Sequence, residues 1–456
     1  MPSRASYLTS SSEEAPFEAD YPRKRRKSAA DFYRVEPVHD SRIHIVGIGS
    51  VGRFIAHSLR GIPNPPPITL LFHKRNYLKR WQESGKGIAL QTGDSVEVHD
   101  GYDAEYFTPR VSEHRKVMPV DIDEHESKEP ISSLIVAVKA PMVRSSLLGL
   151  RHRLGPESTI LFLQNGMGTL EELDKDIFPD PETRPHYMFG INSHGLNIPM
   201  NDEPFRVIHA GFGTMALGIL PQQRTPYSPT PQFSPNLQSP RTYDFIPSPA
   251  ENTPAPQEPG FRWAPTSRYL LRTMLRTPVF CATGYAPADL LQQQLEKLVV
   301  NSVINPLTCL LDARNGAILY NFHLTRVMRL LISEASLVIR SLPELQYIPN
   351  VDTRFDPGRL ETLVVGVANR TKENVSSMLS DMRNGRNTEI DYINGWIVKK
   401  GEELGIRCFM HYMVLHLVRG KSTMISKELN QEVPLVGDAL SVLEDKEGEG
   451  KAGGDL

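Results

Sequence analysis

Ile43-His44-Ile45-Val46 is an apolar run that ends at Gly47, and the residues after it read Ile48-Gly49-Ser50-Val51-Gly52. A buried strand that turns into a helix through glycines at this spacing leaves few folds open. Gly47 permits the tight turn, Gly49 lets backbone approach a pyrophosphate, and Gly52 allows helix and strand to pack closely, with phosphate held at the helix N-terminus. The spacing alone is a weak signal, but here it follows a strand and precedes a helix, which is the context the motif requires. Gly47, Ile48, Gly49, Ser50, Val51 and Gly52 are therefore expected to cradle a dinucleotide.

The next apolar runs extend that unit. Ile68 to Phe72, Ser133 to Val138 and Ile160 to Leu163 are short, rich in Leu and β-branched residues, and bounded by polar residues, Gly or Pro, as strands of a buried parallel sheet should be. The chain reads as an α/β Rossmann-type dinucleotide-binding domain on a doubly wound sheet. Phe205 to Ala210 and Thr214 to Leu220, joined by Gly211-Phe212-Gly213, read as a hairpin that closes the sheet with antiparallel strands. Thr266 to Arg276 is expected to be helical and Val279 to Ala282 a last strand. From Ala286 the periodicity is helical almost throughout. The main segments are Leu290 to Val303, Leu324 to Arg340, Arg359 to Ala368, Val375 to Met382 and Glu389 to Leu404, which predicts an all-helical C-terminal domain.

Three stretches fall outside this pattern. Residues 1–40 hold much Ser, Glu, Arg and Lys and little apolar content, so they read as a disordered arm. Within it Arg23-Lys24-Arg25-Arg26-Lys27 resembles a nuclear import signal, although a solvated basic run is the plainer reading. Residues 221–260 are dense in Pro, Ser, Thr and Gln, a composition that favours extended, solvated chain. Dipeptides such as Thr225-Pro226 and Ser228-Pro229 make them a candidate for proline-directed phosphorylation. Residues 434–456, rich in Glu, Lys and Gly, read as a loose tail. The expected organisation is an arm over 1–40, a dinucleotide-binding domain over 41–285 carrying the insertion 221–260, a helical substrate domain over 286–433 and a tail over 434–456.

Loops after the strands point to the ligand. A fold that prefers NAD normally ends its second strand with Asp or Glu for the ribose 2′-hydroxyl. This chain offers Phe72-His73-Lys74-Arg75 instead, and cations there suit a 2′-phosphate. NADP(H) is the expected cofactor, with Lys74 the first choice for that phosphate and Arg75 the second. Lys139, after the third strand, is placed to meet cofactor ribose or phosphate. Asn165, in Gln164-Asn165-Gly166-Met167-Gly168 after the fourth, is placed to reach both cofactor and substrate.

The helical half carries the sharper constellation. Lys297, Asn301 and Asn305 are four residues apart and share one helix face, while Leu298, Val299, Val300, Val303 and Ile304 cover most of the circumference. A largely buried helix with one polar stripe suggests a lined pocket, because buried Lys and Asn need partners. Asn374 to Leu379 and Asn387 to Gly395 place an amide, hydroxyls and a carboxylate on two successive helices. Glu389 alone reads equally well as an acid that complements the dipole of its own helix.

Together these segments resemble the ketopantoate reductase (2-dehydropantoate 2-reductase) family. The resemblance runs from about Arg42 to Arg419. It is carried by Lys297-Leu298-Val299-Val300-Asn301 with Val303 to Thr308, and by Ser376-Ser377-Met378-Leu379 with Thr388 to Gly395. It implies that Lys297 is the proton donor and that Asn301, Asn305 and Asn315 line the substrate site. By the same resemblance Ser377 and Asn374 take the substrate carboxylate, Glu389 bonds the cofactor ribose or the substrate hydroxyl, and Lys139 and Asn165 stand on the cofactor side. The implied reaction is NADPH-dependent reduction of 2-dehydropantoate to pantoate, for pantothenate and coenzyme A synthesis.

Two alternatives stay open: reduction of another 2-keto acid, and a non-catalytic NADP-binding regulatory or scaffold protein. The expected partner is a small 2-keto acid. Basic and acidic side chains nearly balance, 51 against 53, which argues against nucleic acid. Cys281, Cys309 and Cys408 form no C-x-x-C pair, so neither a disulfide framework nor a metal site is expected. No apolar run is long enough for a membrane span. The expected location is the cytoplasm; a mitochondrial location is the alternative, since Glu13, Glu14, Glu18 and Asp20 interrupt what would otherwise read as a transit peptide. The sequence leaves a homodimer open.

Overall fold

A computed structural model of the chain describes residues 40–110, 126–199, 205–221 and 263–429. All these elements lie in the unit Val38–Leu456. The arm up to residue 39, the insertion after Pro221 and the tail 434–456 lie outside the described residues.

The strands are β1 (Ile43–Val46), β2 (Ile68–Phe72), β3 (Ile88–Thr92), β4 (Ser95–His99), β5 (Asp103–Tyr106), β6 (Ser133–Val136), β7 (Thr159–Phe162), β8 (His186–Asn192), β9 (Gly195–Asn197), β10 (Arg206–Gly211), β11 (Met215–Ile219) and β12 (Ala282–Gly284). Eight of them form one sheet in the order β12-β11-β8-β7-β6-β1-β2-β5. Every neighbouring pair in it is parallel except β8 with β11. β1, β2, β6 and β7 are buried at every residue, which accounts for their continuous apolar composition. Val46 stands opposite both Leu71 and Val136, so the loops that follow these strands leave the sheet at one edge. That edge is where an open α/β sheet binds ligand.

The expected hairpin is not formed. β10 belongs to a second sheet, in the order β4-β3-β10-β9, parallel to β3 and antiparallel to β9. β11 pairs instead with β8 and β12 in the main sheet. The reason lies in the side chains. Met215 to Ile219 are all buried and need a two-sided interior, whereas β10 buries Val207 and His209 and leaves Arg206, Ile208 and Ala210 more open. A Cβ on Gly213 would sit 2.5 Å from the backbone of Ser193, so the linking turn is pressed against the end of β8 rather than reversing the chain. Strands β3, β4, β5, β8 and β9 have no counterpart among the expected elements. The last strand begins at Ala282, after a short 3-10 turn, rather than at Val279.

Besides one turn at Val351–Arg354, the helices are α1 (Ser50–Arg60), α2 (Arg75–Glu83), α3 (Ala140–Leu150), α4 (Thr169–Asp176), α5 (Pro265–Leu275), α6 (Pro287–Leu311), α7 (Phe322–Arg340), α8 (Pro357–Arg370), α9 (Ser377–Arg383), α10 (Ile390–Glu403) and α11 (Phe409–Leu429). The last extends the helical half by an element the periodicity did not resolve.

α6 is the axis of that half. Pro287 at its first position and Asp289 in its first turn favour its start, and Asp312, at φ 52°, ends it. Its interior contains Pro306, which lacks the N–H that would bond the carbonyl of Ser302. Asn394, buried in α10, donates from Nδ2 to that carbonyl at 2.9 Å. The helix therefore runs on through its proline because a second helix supplies the missing donor.

Candidate active site

The loop after β7, the second half of β8 and the middle of α6 meet at a cleft whose lining includes Gln164, Asn165, Phe189, Ile191, Lys297 and Asn301. Lys297 projects from α6 and donates from Nζ to the backbone carbonyl of Asn192 at 2.8 Å. Burial pulls its ammonium down to about 8, and the negative charge of Glu389 opposes that fall.

Glu389 does not cap its own helix. It occupies the N-cap position of α10 with no capping bond from its side chain. Its carboxylate reaches into the α/β half, where Oε1 accepts from the backbone N–H of Ala140 at 3.1 Å and Oε2 accepts from Asn165 Nδ2 at 2.9 Å. Ala140 opens α3, so the acid sits at the positive end of a helix from the other half. Burial raises its pKa, and the bonds from Asn165 and Ala140 oppose the rise.

Lys139, the N-cap residue of α3, forms an ion pair with Asp381 of α9, and Arg386 joins the same carboxylate at 3.2 Å. Sequence reading missed Asp381. Its signal was an acid set between Leu379 and Met382 in an apolar turn, where an unpaired charge would be costly. Asn192 was also missed, because a backbone carbonyl carries no residue signature.

The remaining expected residues divide. Asn301 lines the cleft beside Lys297, and Asn305 is buried one turn further on. Asn315 lies beyond α6, donates from Nδ2 to Thr371 Oγ1 at 3.0 Å and from its backbone to Asn374 O at 3.0 Å, and its Oδ1 is buried without a partner among the described residues. Ser377 stands exposed in the first turn of α9, whereas Ser376 is the cap and accepts from Leu379 N. Asn305, Asn315, Asn374 and Ser377 are not among the lining residues of the cleft.

The glycine turn has the shape a pyrophosphate requires. Gly47 has φ +95°, and a Cβ there would lie 2.6 Å from Ala137 and Val138 backbone, while one on Gly52 would lie 1.9 Å from Gly47 O. A Cβ on Gly49 would meet nothing within 4 Å. Among the described residues, the first turn of α1 has no acidic residue and no side-chain cap, which leaves the positive end of this helix for an anionic ligand. Lys74 is exposed at the N-cap of α2, and the Arg75 guanidinium lies 4.6 Å over the Tyr106 ring.

Among the described residues, His57, Glu97 and His99 bring ligand-type atoms within 4.8 Å of one another. The two imidazoles stack 4.1 Å apart at 20°, so their in-plane lone pairs run side by side and do not converge on one ion. None of the described helices is long and apolar enough to cross a membrane.

Comparison with known proteins decides the family. The model of ketopantoate reductase PanE/ApbA matches residues 43–222 and that of its C-terminal domain matches 289–422, together more than half of the chain. The protein belongs to the ketopantoate reductase family. Members of this family are oxidoreductases that act on a CH–OH group with a nicotinamide dinucleotide, and the open cradle at Gly49 fits that cofactor.

Similar curated proteins bear two substrate names. Ketoisovalerate reductase BEA2 of Gibberella fujikuroi is 26% identical over 400 residues, 80% of this chain and 79% of its own length. The probable 2-dehydropantoate 2-reductase of Schizosaccharomyces pombe is 24% identical over 387 residues, 84% of this chain and 97% of its own. Among solved structures, the probable 2-dehydropantoate 2-reductase of Bacillus subtilis has the same fold, with a TM-score of 0.54, 24% identity and coverage of 83% of this chain and 99% of that one.

Proposed function

We propose that this ketopantoate reductase family member reduces 2-dehydropantoate to pantoate with NADPH, serving pantothenate and coenzyme A synthesis. The observation that carries the reading is the half-buried Lys297, held in a cleft beside Asn165 and Asn301 with an ammonium near the neutral range. NADPH, when bound, supplies hydride to the carbonyl carbon of the keto acid. The ketone oxygen gains the electron pair of the broken π bond, and Lys297 Nζ stabilises it and then transfers a proton to it, completing the alcohol. The lysine left neutral takes its proton back from solvent.

Glu389 acts through others in this reading: it fixes the Asn165 amide and the start of α3 beside the cofactor. Lys139, held by Asp381, lies on the same side. Asn301, Asn305 and Asn315 face the substrate, and Asn374 with Ser377 takes its carboxylate as the helical domain, 286–433, closes on the dinucleotide domain, 41–285. Lys74 meets the 2′-phosphate, because Arg75 is engaged with Tyr106. Lys74→Ala should erode the preference for NADPH over NADH; an unchanged preference would remove that role.

The test is product analysis with the purified chain: pantoate should form one-to-one with NADPH oxidised. Bound NADPH without turnover of any keto acid would favour the scaffold alternative. The relatives named for ketoisovalerate supply a second substrate of the same class.

A further inference from the structure

Gln164 lies just past β7, after Leu163, and lines the cleft with Lys297 and Asn301. It is 6% exposed, and neither its Nε2 nor its Oε1 has a partner among the described residues. Its neighbour Asn165 differs, since that amide is engaged by Glu389. A buried carboxamide with both ends unpaired is costly and calls for a specific explanation. At a cleft wall, a polar group that enters the cleft can supply that partner. Phe189, Ile191 and Leu298 also line the cleft and give it an apolar side.

We propose that Gln164 is the specificity residue that recognises a hydroxyl on the alkyl end of the 2-keto acid and so separates 2-dehydropantoate from 2-ketoisovalerate. The proposal rests on the reductase reading above. The two keto acids share a carboxylate, a ketone and a branched carbon beside it, and 2-dehydropantoate adds one hydroxymethyl group. A hydroxyl both donates and accepts, and the carboxamide matches it, with Oε1 accepting its hydrogen and Nε2 donating to its oxygen. The methyl groups fall to Phe189, Ile191 and Leu298. A substrate without the hydroxyl leaves the amide unpaired, which is the condition under which a polar site rejects an analogue strongly. A neutral amide does this without drawing the substrate carboxylate away from Asn374 and Ser377.

The experiment measures kcat/KM on both keto acids at saturating NADPH, for the wild-type chain and for Gln164→Met, which keeps the length and removes the hydrogen bonds. The wild type should favour 2-dehydropantoate, and the ratio of the two kcat/KM values should fall about 10- to 100-fold in Gln164→Met. The NADPH dissociation constant, read by fluorescence, should stay at the wild-type value. Equal losses on both substrates, an unchanged ratio, or a wild type that favours 2-ketoisovalerate would overturn the proposal. Turnover of neither acid by the wild type would instead refute the reductase reading, and this inference with it. If Gln164→Met does not retain NADPH binding, Gln164→Asn provides the second variant. Shorter but still an amide, it should lower the ratio by less, and an unchanged ratio there is equally fatal.

Discussion

Lys297 Nζ and the backbone carbonyl of Asn192 are 2.8 Å apart, so the cationic group of the cleft is held by a neutral acceptor rather than by a carboxylate. Its charge is therefore left for a substrate oxygen. Lys297→Ala should keep NADPH binding and lose about 10²- to 10⁴-fold in turnover. Single-turnover kinetics with NADPH fluorescence separates the two effects. Loss of NADPH binding in step with turnover would move the lysine to the cofactor side.

The same burial sets a pH dependence. With Lys297 as the proposed proton donor, reduction needs the ammonium, which persists below about 8, so kcat should be level on the acid side and fall as pH rises through 8. Stability runs the other way. The folded pKa lies below the ordinary 10.5, so between these values the unfolded chain binds more protons and stability rises with pH. At pH 7 the partly desolvated ammonium is a cost, and Lys297→Met should melt at a higher temperature than the wild type while turning over poorly. A lower melting point would contradict the burial argument.

Glu389 couples to that lysine through its charge. Glu389→Gln keeps the shape but removes the field that raises the Lys297 pKa, so the alkaline fall in kcat should begin below pH 8. It also puts an amide donor where Ala140 N and Asn165 Nδ2 both donate, for a loss of about 1–3 kcal/mol in stability. A pH profile identical to wild type would show that the two groups are not coupled.

The glycine turn predicts a contrast between two small substitutions. Gly52→Ala forces a methyl to 1.9 Å from Gly47 O and should unfold the turn, with a loss of several kcal/mol in stability, on the order of other severe steric clashes. Gly49→Ala meets open space and should leave the melting temperature near wild type while weakening NADPH binding. Equal effects of the two on binding and on melting would argue against a pyrophosphate seated at Gly49.

How much of this was legible varied by physics. Gly47 to Gly52 and the strands β1, β2, β6 and β7 were readable because turn chemistry and two-sided burial leave local signals. The pairing of β10 and β11 was not, since partners distant in sequence decided it and β3 was unrecognised. Lys297 was legible from its place on an apolar helix. The bonds from Ala140 and Asn165 to Glu389 were not, because a first-turn acid ordinarily serves its own helix. Part of the family-like segment proved to have a packing role: Asn394 answers the carbonyl freed by Pro306.

That pairing is testable by itself. Asn394→Leu leaves Ser302 O without its donor and should cost about 1–3 kcal/mol in denaturant unfolding, with kcat little changed. A large loss of kcat without a loss of stability would give Asn394 a role in the site instead.

The most direct test of the account is the initial rate of NADPH oxidation with 2-dehydropantoate, measured from pH 6 to 10 for the wild type and Lys297→Ala. The account predicts a wild-type rate that falls as pH passes about 8 and a Lys297→Ala rate that is low and level across the range. A wild-type rate unchanged through pH 10, or a Lys297→Ala rate equal to it, would contradict proton donation by Lys297.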